Sequence, residues 1–139
     1  REEEGVHFDL LLVLDVIEHL EDYFTFLRAI KLRSNYTIFH IPLDVSVQTV
    51  VRPGGLLKVR AEYGHIHYFT AEIALQSLRD AGFVVLDSFY TRRAIELPTT
   101  VLSRKLLLWP RRALFAVHQN FAARLLGGFS LLVLAQGAT

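Results

Sequence analysis

The run Leu10–Leu14 (LLLVL) is continuously apolar and is bounded by Asp9 on one side and Asp15 on the other. A run of this length between turn signals predicts a strand buried on both faces, the kind found in a parallel sheet covered by helices. Asp15, Glu18 and His19 follow immediately, where the strand must end. Ligands of open α/β sheets bind outside the carboxyl ends of strands, so Phe8 to Asp22 (FDLLLVLDVIEHLED) is the expected floor of a site.

The remaining chain alternates helix and strand patterns around that floor. Glu21 and Asp22 open a helical pattern (Leu20, Phe24, Leu27, Ile30) and Lys31 and Arg33 close it, charges that suit the helix dipole. Tyr36 to Ile41 (YTIFHI) predicts a second strand stopped by Pro42, and strand, helix, strand in this span is a βαβ unit with parallel strands. Leu43 to Ala61, with the turn Arg52-Pro53-Gly54-Gly55, is an excursion. Placing the second strand at Leu56 to Arg60 instead needs a long irregular connection and leaves Tyr36 to Ile41 without a role. Thr70 is a good N-cap for a helix running to Gly82, and Phe83 to Thr91 predicts a third strand. Thr99 to Leu126 reads as helical, with Pro110 starting a second helix and Leu114, Val117, Phe121 and Leu125 along one face; Gly127-Gly128 ends it and Phe129 to Ala135 predicts a last strand. The fold class is therefore α/β, a sheet with flanking helices.

Composition narrows what such a domain does. A 139-residue chain that is 52% hydrophobic builds one domain with a real core, which excludes a disordered protein. Lys and Arg total 15 against 14 Asp and Glu, and a net charge of +1 gives no field that argues for nucleic acid. The lack of Cys removes disulfides, thiolate nucleophiles and Cys-based zinc sites, and fits a cytoplasmic protein. The greasiest stretch, Leu125 to Ala135, is interrupted by Gly127, Gly128 and Ser130 and falls short of the roughly 20 residues of a membrane span. The start at Arg1-Glu2-Glu3-Glu4, with no initiating Met and no leader pattern, predicts a piece of a longer chain.

The chemistry concentrates in two places. If the chain turns into a helix after Val16, Asp15, Glu18 and His19 stand at i, i+3 and i+4 and project from one face. Such a set suits a divalent metal, with His65 or His67 as a further ligand, but a carboxylate-histidine string at a strand end more often holds a ligand by hydrogen bonds, and no metal is the preferred expectation. His19 as a general base is the third use. In Gly64 to Thr70 (GHIHYFT), His65 and His67 bracket a helix entry beside the site, either facing substrate or, for His67 next to Tyr68-Phe69, simply packing. His40 is expected to be a satisfied core or pocket-wall residue, and His7 and His118 carry no signal. Arg92, Arg93, Arg104, Lys105, Arg111 and Arg112 surround Leu106-Leu107-Leu108-Trp109; the ordinary expectation is a solvated helix face, the alternative a membrane-surface segment or a lid over a greasy substrate.

Asp15-Val16-Ile17-Glu18-His19-Leu20-Glu21-Asp22, then Gly64-His65-Ile66-His67-Tyr68-Phe69-Thr70 with a helix ending in Ala81-Gly82-Phe83, then Gly128-Phe129-Ser130-Leu131-Leu132-Val133, come in an order that resembles the carboxyl-terminal half of class I S-adenosylmethionine-dependent methyltransferases, of the type carrying D-x-x-E-H-x-x-D after the fourth strand. The resemblance implies a partial Rossmann-like sheet whose strands are the family's fourth to seventh, in spatial order 4-5-7-6 with the last antiparallel. Residues 1–139 would be one truncated domain lacking the glycine-rich turn and the acidic residue of the first half; Gly5 is the only glycine before position 54. It implies S-adenosylmethionine as cofactor of the parent enzyme, with Asp15, Val16 and Ile17 on the cofactor side, Glu18 and His19 as catalytic residues, and His65, His67 and Tyr68 on the side of a small-molecule acceptor, methylated on oxygen in the favoured case. Asp15, Glu18 and His19 are similar to a glutamate, glutamate and histidine set that binds a divalent cation in some O-methyltransferases, with Asp15 in place of the first Glu. Alone, the chain is expected to bind the cofactor poorly, and its unpartnered first strand favours a homodimer, or a catalytically silent binding module as the alternative function.

Overall fold

The computed structural model describes residues 6–91, 109 and 112–138. Its center is a four-stranded sheet of β1 (Phe8–Leu14), β2 (Ser34–Leu43), β3 (Phe83–Thr91) and β4 (Phe129–Gly137), in spatial order β1-β2-β4-β3. β1 and β2 are parallel, joined through α1 (Tyr23–Ile30), while β4 runs antiparallel to both β2 and β3. This is the strand order and the single reversed strand that the resemblance implies. Pro42 does not stop β2, which continues to Leu43 opposite Phe129. The carbonyl of His40 accepts the amide of Asp15 from the β1 side, so position 42 also turns its nitrogen that way, beyond the end of β1, and the missing N–H costs no ladder bond.

The excursion after β2 is helical: α2 (Val47–Val51) starts at Ser46, whose hydroxyl accepts the amide of Thr49 while Thr49 reaches back to the Ser46 amide, and α3 (Gly55–Tyr63) follows Gly54, which takes the left-handed φ of 67°. Leu56 to Arg60 lie in α3 rather than in a strand. α4 (Ala71–Asp80) is capped by Thr70 and closed by Gly82 at φ 94°, as its sequence signals require. α5 (Gln119–Leu126) returns to β4.

α1 depends on its cap. The Asp22 carboxylate accepts the amide of Thr25 at 3.0 Å, and the Thr25 side chain together with that amide holds the carboxyl below its ordinary value. Asp22→Ala is expected to lower stability by removing this cap, measurable as a downward shift in the urea midpoint without a change in slope.

The core lies on one face of the sheet. Val13, Phe39, Ile41, Leu131, Val133 and Ala135 from the strands meet Leu27, Ala74, Leu78, Ala122 and Ala123 from α1, α4 and α5. The other face stays open: Phe8, Leu10, Leu12 and Leu14 are 46–56% exposed, and Tyr36, Val84 and Phe89 share that exposure. β1 is thus not buried on both faces as its apolar run predicts, because the described helices that enter the core all pack against Val13's side.

The helical pattern read as continuous to Leu126 breaks at His118. Residues 112–117 are helical, His118 is extended, and its ring caps α5 by accepting the amide of Phe121. The break rotates the buried stripe, so Phe115, Ala122 and Ala123 are buried while Val117 and Phe121 face solvent. Arg92, Arg93, Arg104, Lys105, Leu106 to Leu108 and Arg111 lie outside the described residues, as does the helix start proposed at Pro110; Trp109 is exposed.

Candidate functional site

Parallel β1 and β2 deliver Asp15 and Asp44 to the same edge of the sheet, each just past the carboxyl end of its strand. After β1 the backbone turns sharply at Asp15, a non-glycine residue at φ 51°, and enters a 3-10 turn over Ile17–His19. The turn is pinned from the opposite side. The Glu18 carbonyl accepts the amides of both Ile66 and His67, at 2.8 and 3.1 Å, which brings the loop 64–69 onto the strand end. Gly64, closing α3 at φ 76°, holds its own carbonyl 3.2 Å from His19 Nδ1, which donates to it.

These contacts bring Glu18, His19 and His65 together. Their ligand atoms lie within 4.8 Å of one another, and the two imidazoles meet edge to face at 5.0 Å. His65 is buried and donates through Nδ1 to Asp44 Oδ2 at 2.6 Å. Because Asp44 and the Gly64 carbonyl only accept, Nδ1 of each histidine carries the proton it donates, and in the neutral ring Nε2 is then the acceptor. Glu18 has 0% exposure, and among the described residues neither of its carboxylate oxygens has a hydrogen-bond partner. Burial pushes its carboxyl above the ordinary value, outweighing the opposite pull of its own amide and of the two histidines, with Asp15 nearby adding to the rise.

Asp15 does not share a face with Glu18 and His19. A 3-10 turn replaces the expected α-helical one, and the Asp15 carboxylate turns back to accept His40 Nδ1–H at 2.7 Å, with His40 Nε2 lying 3.1 Å from Thr91 Oγ1. His40 is the satisfied wall residue its strand position predicts. Ile17 is in the core, while Val16 is half-buried beside it. His67 donates to the Glu21 carbonyl at 3.3 Å with its ring against Tyr23, so it packs and closes the loop; Tyr68 is half-buried. Asp44 is the residue that reading by motif passed over. The rule that singled out Asp15, polar groups at the carboxyl end of a strand, applies equally to Asp44 after β2.

No protein-family model and no curated protein matches the chain. Solved structures do. An S-adenosylmethionine-dependent methyltransferase from Mesorhizobium loti aligns over 94% of this chain with a TM-score of 0.52 at 16% identity. A protein assigned as a sarcosine dimethylglycine methyltransferase from Galdieria sulphuraria aligns over 97% with a TM-score of 0.58 at 12% identity. A 4+2 cyclase, SpnF, aligns over 96% with a TM-score of 0.53 at 17% identity. The chain spans 62%, 54% and 52% of those three chains. Its fold is that of the class I S-adenosylmethionine-dependent methyltransferases. One such neighbour is described as a cyclase, so the fold does not by itself name the reaction.

Proposed function

We propose that this chain is the acceptor-side part of a methyltransferase that uses S-adenosylmethionine and transfers the methyl group to an oxygen of a small molecule. The observation that carries the reading is the convergence of Glu18, His19 and His65 at the carboxyl end of two parallel strands on this fold. S-adenosylmethionine supplies a methyl group on a positively charged sulfur, which leaves as a neutral thioether when an oxygen takes the carbon. What the protein must add is alignment and a destination for the hydroxyl proton. His19 offers that destination: its Nδ1–H is held by Gly64, its Nε2 is a free lone pair, and its side chain is 40% exposed. The buried Glu18 carboxylate, 3.9 Å from His19 Nε2, favours the imidazolium that results.

The cofactor side is less complete. Asp15, Val16 and Ile17 offer one wall, with Asp15 partly committed to His40 and Ile17 in the core. Among the described residues no glycine-rich strand-to-helix turn stands beside them to cradle a nucleoside. We therefore expect residues outside 1–139 to supply the rest. Titration of S-adenosylhomocysteine into this chain and into a form extended upstream by roughly 100 residues, the size of a half-domain, tests the reading. Binding by the extended form, at least about 100-fold tighter than by residues 1–139, is the expected result, a difference of about 2.7 kcal/mol. If neither form binds, the methyltransferase reading falls.

A second reading is favoured by the open sheet face. Phe8, Leu10, Leu12 and Leu14 on an edge strand form an apolar surface of the kind that pairs or docks, which fits a binding or dimerisation module. Sedimentation velocity distinguishes the two, since a module of this kind self-associates without cofactor and loses that association on Leu12→Lys.

A further inference from the structure

We infer that Thr91, His40 and Asp15 form a second reactive centre, on the open face of the sheet, in which the Thr91 hydroxyl attacks the carbonyl carbon of an ester with an apolar acyl group. The inference does not rest on methyl transfer, and it uses neither Glu18 nor the two histidines beside it.

The strands place the three residues. β3 runs parallel to β1 and β2, because β4 is antiparallel to both β2 and β3. Asp15 therefore lies just past the carboxyl end of β1, His40 near that of β2 and Thr91 at that of β3, along the edge where ligands of such sheets bind. The face follows from the register. Phe39 and Ile41 point into the core, so His40 between them points away from it, level with Leu14 on β1 and Leu132 on β4. Thr91 stands one row further along, opposite Ser130.

The hydrogen bonds run in one line. Asp15 Oδ1 lies 2.7 Å from His40 Nδ1, and His40 Nε2 lies 3.1 Å from Thr91 Oγ1. A carboxylate accepts, so His40 Nδ1 carries a proton, and in the neutral ring Nε2 accepts from the Thr91 hydroxyl. The other acceptor for that hydroxyl, the Ser130 carbonyl, is further away at 3.4 Å. A hydroxyl within reach of a base that a third group orients is the arrangement of an activated nucleophile, and it is recognised by geometry rather than by order in the chain. The Asp15 and His40 side chains are 43% and 17% exposed and Thr91 is half-buried, so the line is open to a substrate.

The surroundings suit an acyl group. Ser130 is buried and, among the described residues, its hydroxyl has no hydrogen-bond partner. It faces the same way as Thr91 as its cross-strand partner, roughly 4.5–5.5 Å away between Cβ atoms, and supplies an unused donor beside the carbon under attack, where negative charge develops on the carbonyl oxygen. Leu14 and Phe89 are exposed on either side of His40 and Leu132, an apolar floor for the acyl chain. In the reaction the bond from Thr91 Oγ1 to the carbonyl carbon forms as the hydroxyl proton passes to His40 Nε2. The ester carbon–oxygen bond then breaks as that proton goes to the leaving alcohol oxygen. Water attacks the acyl group by the same route, releasing the carboxylic acid and restoring the Thr91 hydroxyl.

The test mixes the 139-residue chain with p-nitrophenyl butyrate. The expected result is release of p-nitrophenol, with a butyryl ester that peptide mass mapping places on Thr91 and hydroxylamine removes. Thr91→Val and His40→Gln should each slow acylation by at least about 100-fold, and Asp15→Asn by at least about ten-fold through the ring it orients. Thr91→Ser keeps the hydroxyl and loses the crowding methyl, so it should react at least as fast as the wild type, which a merely structural role for Thr91 does not predict. Circular dichroism checks that each variant folds. If His40→Gln does not, the contrast between Thr91→Val and Thr91→Ser decides alone. No release above buffer, butyryl groups found only on lysines or other histidines, or acylation that Thr91→Val leaves unchanged overturns the centre, and none of these outcomes touches the cofactor titration.

Discussion

Glu18→Gln is expected to make the protein more stable near pH 8, by about 1–2 kcal/mol, and to change little near pH 4. The wild-type carboxylate is fully buried, and among the described residues both its oxygens are unpartnered, so its ionised form costs more than a neutral amide in the same space. Burial raises its folded-state pKa above the ordinary 4.5. Between 4.5 and that raised value the folded chain holds a proton that the unfolded chain has released. Stability is therefore fullest below the unfolded value and is lost as pH rises through the folded one. Glutamine does not titrate, so the variant keeps what the wild type loses. Urea unfolding of both proteins at about pH 4 and about pH 8 gives the answer: a widening gap in favour of the variant is expected, and an equal loss at both pH values would show that Glu18 has partners the geometry does not.

The sheet was largely legible from sequence because strands announce themselves by composition. Tyr36 to Ile41 and Phe83 to Thr91 are runs of β-branched and aromatic residues between breakers, and both form strands. Thr70, Gly82 and Asp22 mark helix ends through chemistry that acts within a few residues, so they too were visible. Burial was not. The run Leu10–Leu14 says that a strand is apolar, and whether both sides are covered depends on where distant helices pack. The helix read as continuous to Leu126 fails for a related reason, since one residue in an extended conformation, His118, resets the face without altering the apolar spacing.

The site divides the same way. Glu18 and His19 were legible because they follow a strand directly, and Gly64 to Thr70 because its histidines stand before a capped helix. Which of them meet is a tertiary fact. The Glu18 carbonyl accepting two amides from the loop selects His65 for the cluster and leaves His67 on Glu21. Asp15 leaves the cluster because its positive φ and the short 3-10 turn break the i, i+3, i+4 geometry on which the three-residue face depended.

Phe39→Ala should cost about 3–5 kcal/mol, the range for emptying a fully buried phenylalanine site, and so remove much of the roughly 5–15 kcal/mol that holds a domain of this size. Phe39 has no exposed surface, sits at the middle of β2 with Val13 and Val133 opposite it on either side, and meets Phe83 edge to face at 5.1 Å. The ring thus stands among residues of the other three strands, Val13, Val133 and Phe83. Leu12 provides the contrast. It is one residue from Val13 on the same strand but on the open face, 56% exposed, so Leu12→Ala should cost under about 1 kcal/mol. Thermal unfolding of the two variants, followed by circular dichroism at two protein concentrations, measures the asymmetry. A large gap that does not depend on concentration is what a sheet with one covered face requires. Comparable losses, with the Leu12 effect growing as the protein is concentrated, would mean that a second copy covers Phe8, Leu10, Leu12 and Leu14 in solution, and would move the weight of the functional reading from the pocket to the open face.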